Sequence, residues 1–137
     1  MPLCIFHTNM GADRVTDEFH AKLSKLISEL TKSPETSITV ELRTSKRMCR
    51  AAKPEADWGF FELHAVGAFD NPDVNRDGAT KLLSFCEKEI GLPQTSCFFM
   101  MHHNNPYHIG LGNKRLVSDI PHYKATKPLK LYENLRK

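Results

Sequence analysis

Long apolar segments are absent from this 137-residue sequence. The longest uninterrupted apolar run has five residues, Cys97 to Met101, whereas a membrane-spanning helix needs about 20. The first residues have neither the basic stretch nor the apolar stretch of a secretory signal, so we expect no such signal. These absences predict a protein that does not enter a membrane and does not follow the ordinary secretory path.

Closely spaced cysteine pairs are also lacking. The four cysteines, at positions 4, 49, 86 and 97, are widely separated and lie in apolar contexts. No CxxC motif is present that could bind zinc or carry out redox chemistry. We interpret all four as reduced, buried thiols of the kind found in cytosolic proteins.

A strong excess of one charge is missing too. The chain has 19 basic and 16 acidic residues, and the difference of +3 lies entirely in residues 117–137, which hold five basic and two acidic residues. The preceding 116 residues are neutral, which argues against nucleic-acid binding because a dedicated binding domain needs a basic face. We predict one domain over residues 1–116 and a basic C-terminal extension over residues 117–137.

What the sequence does contain is two amphipathic helical patterns. From Thr16 to Thr31, apolar residues recur at helical spacing, with Thr16 as the natural N-cap and Pro34 just past the end. A second helix is predicted from about Asn75 to Ile90, where Gly91 ends it.

Strand patterns flank both helices. Alternating or continuous apolar residues predict the strands 3–8, 38–43, 60–67 and 97–103, with short strands at 47–50 and 108–111. Strand, helix and strand therefore occur twice in the same order. We predict an α/β (α+β) fold in which two βαβ units form a four-stranded mixed sheet with both helices on one face. Because the consecutive residues Phe98 to Met101 place apolar side chains on both sheet faces, we infer that the second face, or the short edge strands, is buried against another copy of the chain.

Pro2 is an unusual candidate for catalysis. If Met1 is removed, Pro2 becomes a chain terminus with a free secondary amine, whose pKa starts from about 7.7–8.0 and falls on burial among apolar residues. Such an amine suits proton abstraction next to a carbonyl group. While Met1 remains, the same nitrogen is an amide and cannot act as a base. A penultimate proline without any function is the alternative.

An ordered set of motifs accompanies this proline over residues 2 to about 116. They are Met1-Pro2, Thr8-Asn9, the Phe19–Leu30 helix, Pro34, Met48, His64-Ala65-Val66-Gly67, the Leu82-Leu83 helix and the Ile109-Gly110 turn. With this order and spacing, the sequence resembles the macrophage migration inhibitory factor family, which includes D-dopachrome tautomerase. The resemblance implies a homotrimer whose sheets line a central channel and whose active sites lie between subunits. It also implies keto–enol tautomerase activity on small carbonyl or enol substrates, phenylpyruvate-like or dopachrome-like, and, in secreted members, cytokine-type signalling through a cell-surface receptor.

The resemblance assigns roles to individual residues. Pro2 matches the catalytic proline and would be the general base. The family's substrate-binding lysine corresponds to Ser33, and Lys32 lies one position earlier. Val66 stands where the family has an isoleucine whose backbone contacts substrate, and Met100 stands where the family has an asparagine. We therefore predict Pro2 as catalytic and the other four residues as substrate-binding.

Other departures from the family make the predicted pocket more apolar. Phe98 takes the place of a tyrosine, and Leu111 and Leu116 take the places of aromatic residues. A buried site without polar partners rejects small charged acids more than apolar substrates, so we predict altered and reduced activity. The alternative is a catalytically weak or inactive signalling protein that binds a receptor or partner: Pro2 favours the enzyme, whereas Ser33 and Met100 favour the binding protein.

His102, His103 and His108 are the metal-ligand candidates in the sequence. Neighbouring residues in a strand point to opposite faces, so only one of the first two can aim in the same direction as His108. We interpret these histidines as solvated or hydrogen-bonded and predict neither a metal nor another cofactor. We also predict a cytoplasmic protein that, like members of the family, can reach the outside of cells without a signal peptide.

Overall fold

Two α-helices form as the apolar spacing predicts. The structure, a computed structural model, describes residues 1–123 of the chain. Helix α1 spans Asp17–Thr31, and the Thr16 side chain caps it by accepting a hydrogen bond from the Phe19 N–H at 3.3 Å. Helix α2 spans Pro72–Ile90. It begins three residues before the predicted start because the Asn71 side chain caps it, accepting from the Asp73 N–H at 2.9 Å. Gly91 ends it in a left-handed conformation at φ 70°.

Four strands form the main sheet. They are β1 (Leu3–Thr8), β2 (Thr39–Arg43), β3 (Gly59–Ala65) and β4 (Cys97–His103). Their order in the sheet is β2-β1-β3-β4. Strand β1 runs parallel to β2 and antiparallel to β3, and β3 runs parallel to β4. The predicted fold of two βαβ units in one mixed sheet is confirmed.

The two short predicted strands have different outcomes. Within 108–111, residues Gly110–Leu111 form β5, which pairs with β6 (Arg115–Leu116). The prediction of a strand at 47–50 is wrong, because Arg50 makes only an isolated bridge to Lys53. Ala51 and Ala52 adopt positive φ values of 54° and 60°, and this local turn folds the chain back on itself.

One cysteine departs from its predicted environment. Cys4, Cys86 and Cys97 are buried, as expected, whereas Cys49 is exposed. Cys49 immediately precedes the turn at Ala51 and Ala52, so its apolar neighbours in sequence do not enclose it. Burial raises the pKa of the Cys4 thiol to about 12, which keeps that thiol protonated and unreactive at neutral pH.

The core lies between the helices and one face of the sheet. Its large, fully buried side chains include Phe6, Phe19, Leu23, Phe61 and Leu82. Alternation along each strand sends the intervening side chains to the opposite face, which neither helix covers. We call this second surface the open sheet face; it carries, among others, Phe60, Glu62, Phe98 and Met100. Phe98 and Met100 are 40% and 36% exposed there.

A second, smaller apolar cluster lies beyond the main core. Val66, Val117 and Tyr123 are buried in it. Short 3-10 turns at Val117–Asp119 and Pro121–Tyr123 carry the chain across this region. The rest of the predicted C-terminal extension, residues 124–137, lies outside the described part of the chain. Among residues 1–123, neither α-helix is both long and apolar enough to cross a membrane.

Candidate active site

The chain terminus lies where β1, an interior strand of the sheet, begins. Pro2 directly precedes β1, and its carbonyl accepts a hydrogen bond from the Thr39 N–H of β2 at 3.1 Å. The Pro2 side chain is less than 2% exposed, whereas Met1 is 37% exposed. The parallel pairing of β1 with β2 therefore fixes the backbone on the carbonyl side of Pro2.

The chain folds back over this terminus after residue 116. The amino group of Met1 donates a hydrogen bond to the hydroxyl oxygen of Tyr123. Its ring is buried in the small cluster with Val66 and Val117, so the ring packing and the hydroxyl contact together fix Tyr123 beside the terminus. Tyr123 therefore packs with Val66 on one side and contacts Met1, the residue before Pro2, on the other.

A cavity of about 410 Å³ adjoins the terminus. It is lined by uncharged side chains, those of Met1, Pro34, Thr36, Ser37, Ile38, Thr39, Ile120 and Tyr123. Burial lowers the pKa of the Met1 amino group from 8.0 to about 6, because the charged ammonium loses hydration in this position. The site thus combines an apolar cavity with an amine that is largely neutral at pH 7.

Lys32 and Ser33 occupy different environments at the end of α1. Lys32 is the C-cap residue in a left-handed conformation at φ 52°, and it lines a separate cavity of about 390 Å³ between the two helices together with Leu30, Phe69 and Asn71. Ser33 is 6% exposed, and its hydroxyl donates to the Thr31 carbonyl at 3.3 Å. Neither side chain lines the cavity beside Met1.

Met100 lies on the open sheet face, away from the chain terminus. It is paired in register with Glu62 on β3. The single chain therefore brings Pro2 and Val66 to one end of the molecule and leaves Met100 on the open sheet face. Ile120 and Tyr123 were not among the site residues predicted from the sequence. The available signal was their apolar character, which they share with Val117 in the segment after Leu116.

A separate set of potential metal ligands is also found on the open sheet face. Glu62, His64 and His102 each offer one ligand atom, and these atoms lie within 4.8 Å of one another. His108, by contrast, lies in the 3-10 turn Pro106–His108 and is exposed. The only predicted histidine candidate that joins this set is His102.

The four-stranded mixed sheet with two helices on one face defines a tautomerase-type α/β domain. Residues 1–115 match the family model described as macrophage migration inhibitory factor (MIF). This match covers most of the chain, so the protein belongs to the macrophage migration inhibitory factor family.

Individual relatives agree with this assignment. The chain is 26% identical over 112 residues to the MIF-like protein mif-2 of Caenorhabditis elegans, covering 82% of this chain and 92% of the relative. It is also 26% identical over 93 residues to a macrophage migration inhibitory factor homolog of Trichuris trichiura, covering 68% and 80% of the two chains.

Solved structures show the same fold at low sequence identity. Macrophage migration inhibitory factor from Oncomelania hupensis superimposes with a TM-score of 0.79 at 16% identity, covering 87% of this chain and 86% of the other. The factor from Trichinella spiralis gives a TM-score of 0.75 at 20% identity, covering 83% and 98%.

Proposed function

We propose that this protein is a keto–enol tautomerase that uses the Pro2 nitrogen as its general base after removal of Met1. The observation that carries the proposal is the burial of the chain terminus beside an uncharged cavity. Burial there already lowers the pKa of the terminal amine to about 6 in the chain that retains Met1. The same desolvation favours a neutral secondary amine at Pro2, which is the form that accepts a proton.

The proposed reaction needs only a proton shift. The lone pair of the Pro2 nitrogen takes a proton from the carbon next to a carbonyl, the electrons of that C–H bond form a C=C bond, and the carbonyl π electrons move to oxygen. The protonated proline then gives a proton to that oxygen, which yields the enol and restores the free amine. In the opposite direction, the enol oxygen loses a proton and the α-carbon gains one.

The cavity favours neutral or weakly polar substrates. Its lining contains hydroxyl and apolar groups without a cationic side chain, and Lys32 lines a different cavity. An acid such as phenylpyruvate would bury its carboxylate there without an ionic partner from the same chain, which costs free energy. We therefore expect the enzyme to prefer dopachrome-like esters and neutral aryl enols over small charged acids.

A homotrimer is the proposed assembly. The open sheet face leaves Phe60, Phe98 and Met100 uncovered by the chain's own helices, and burial of such apolar surface drives association. Family membership implies that three sheets enclose a central channel and that each active site lies between subunits. In that arrangement Met100 would reach the pocket from a neighbouring subunit, while Val66 would lie near the terminus of its own chain and Lys32 would stay at its separate cavity.

The second candidate function is that of a signalling protein without catalysis, which binds a cell-surface receptor. The observation that favours it is the contact between the Tyr123 hydroxyl and the terminal amine, because a residue in this position limits access to Pro2. The same fold would then present a surface to a partner, and Pro2 would serve packing alone.

Intact mass followed by an enzyme assay distinguishes these functions. We expect the mass of a chain without Met1, and tautomerase activity toward a neutral aryl enol that falls at least tenfold in Pro2→Gly, the loss typical of an acid–base catalyst. Pro54→Gly, the same change at an exposed position outside the cavity, is the matched control and should keep the rate of the wild type. Retained Met1, or equal rates for the wild type and Pro2→Gly, would refute the role of Pro2 as a base and leave the signalling function.

A further inference from the structure

The open sheet face carries a cluster of imidazole and carboxylate groups away from Pro2. Glu62 and His64 are alternate residues of β3, so both side chains point to this face. His102 of β4 is paired in register with His64. The imidazole rings of His64 and His102 stack with centroids 4.5 Å apart and an interplanar angle of 10°. Strand register alone therefore places three potential ligands side by side.

Their ligand atoms are close enough for one metal ion after small side-chain movements. One atom from each of Glu62, His64 and His102 lies within 4.8 Å of the other two. Zinc binds nitrogen and oxygen at about 2.0–2.2 Å, so ligand atoms on a tetrahedral ion are separated by about 3.4 Å. The side chains of His64 and Glu62 are 28% and 25% exposed, which leaves room for the stacked rings to tilt toward a common point.

The carboxylate of Glu62 is already oriented for this role. Its Oε2 accepts a hydrogen bond from His7 Nε2 at 2.6 Å, while its Oε1 faces His64 Nε2 at 3.8 Å. His7 belongs to β1, on the far side of β3 from His102. His7 thus holds one oxygen of Glu62 in place, and the other oxygen faces His64. Carboxylates that bind a metal are commonly hydrogen-bonded to a second residue in this way.

An unpaired nitrogen also points to a missing ligand. The Nε2 atoms of His102 and His103 are both buried without a hydrogen-bond partner among the described residues, and of the two only His102 lies on the open sheet face with Glu62 and His64. Buried polar atoms are nearly always paired, because an unpaired one loses hydration without compensation. Arg43, the cation that interacts with Glu62, is bound through two nitrogens to both oxygens of Glu41, at 2.8 and 3.2 Å. This second carboxylate reduces the repulsion that Arg43 would exert on a metal ion.

We propose that Glu62, His64 and His102 bind one Zn²⁺ ion per chain, with His7 as a positioning residue. Two imidazoles and a carboxylate form a ligand set that zinc accepts, and they leave a fourth position for water or a small anion. The site differs from the sequence-based expectation of no metal, because His102 meets Glu62 and His64 instead of His108. It is complete within one chain and does not depend on Pro2 or on the proposed tautomerase activity.

The test is calorimetric titration of the full, untagged and metal-free chain with ZnCl₂. We expect one ion per chain. His64→Ala, His102→Ala and Glu62→Gln each remove a ligand and should weaken binding by at least about 100-fold, whereas His7→Gln should weaken it by about 10- to 100-fold. His103→Gln is the matched control, since His103 is adjacent on β4 and its Nδ1 pairs with the Ala68 carbonyl at 3.3 Å. Its affinity should stay within about twofold of the wild type.

A measurement on the wild type makes the result independent of how the variants fold. Nitrogen NMR should show the ring signals of His64 and His102 shifting on addition of zinc, with those of His20 unchanged. The absence of zinc binding, affinity retained in all three ligand variants, or one ion per three chains would overturn the proposal. A loss of binding in the ligand variants with intact binding in His103→Gln supports it.

Discussion

Titration of the chain terminus tests whether burial prepares Pro2 for catalysis. In the chain that retains Met1, the pKa of the terminal amine falls from 8.0 to about 6. At pH 7 such an amine is about nine-tenths neutral, whereas an amine with a pKa of 8 is about one-tenth neutral. Pro2 is less exposed than Met1, so we expect the amine of the Met1-free chain to titrate well below the ordinary range of about 7.7–8.0.

The assay is the pH dependence of kcat/KM for the Met1-free chain with a neutral substrate, which reports the free enzyme's essential base. We expect activity to reach its plateau before pH 8. Tyr123→Phe keeps the ring and removes the hydroxyl, so it should leave the low pKa in place because desolvation is its cause. Tyr123→Ala removes the ring that covers the terminus and should move the pKa upward. Activity that still rises steeply between pH 8 and 9 in the wild type would refute the reasoning.

The same pKa makes stability depend on pH in the chain that retains Met1. Folding lowers the pKa of this amine, so the protonated form favours the unfolded state: its contribution to stability is complete above pH 8 and is lost as the pH falls toward 6. The change from 8.0 to about 6 corresponds to about 2.7 kcal/mol. Because Met1 is 37% exposed, solvent screening reduces this to about 1 kcal/mol. Urea unfolding at pH 8.5 and at pH 5.5 measures this change in the free energy of unfolding, with the N-acetylated chain as the control. An equal pH dependence of the free and the acetylated chains would contradict the prediction.

Two further predictions concern the cap of α1 and the open sheet face. Thr16→Ala removes the oxygen that accepts a hydrogen bond from the Phe19 N–H, so it should lower the free energy of unfolding, measured in urea, by about 1 kcal/mol. The control is Thr95→Ala, at an exposed position outside both α-helices. Equal effects of the two substitutions would contradict the capping role of Thr16. Phe98→Lys should convert the proposed trimer to monomers in sedimentation, because it places a charge on the surface proposed to be buried between subunits. Val74→Lys, at a position that is 63% exposed, is the control and should leave assembly unchanged. A monomeric wild type would contradict the proposed trimer.

The helices and the four main strands could be predicted because their signals are local. The apolar positions of α1 repeat at helical spacing, and Thr16 marks its start within the same short segment. The start of α2 was placed too late, since the apolar pattern begins after the first turn while the cap is set by Asn71. The false strand at 47–50 has a related cause: composition favoured an extended segment, but the positive φ values of Ala51 and Ala52 depend on the fold around them.

The two sites were less accessible from sequence because they depend on distant pairings. The contact between Met1 and Tyr123 joins residues 122 positions apart, and no periodic pattern predicts it. The alternation of side chains along a strand correctly places His102 and His103 on opposite faces of the sheet. It does not predict which residue of the neighbouring strand lies beside His102. The register of β3 with β4 supplies that information by pairing His64 with His102.

If Pro2 is the base, as proposed, access to it would depend in part on residues that follow the part of the chain matched by the family. That match ends at residue 115, whereas Ile120 and Tyr123 form part of the cavity wall beside the terminus, and Val117 anchors them by complete burial. The matched region contains Pro2, whereas part of the cavity wall beside the terminus lies outside that region. Substrate preference in this protein should accordingly follow changes at Ile120 more closely than changes at Lys32, which lines the other cavity.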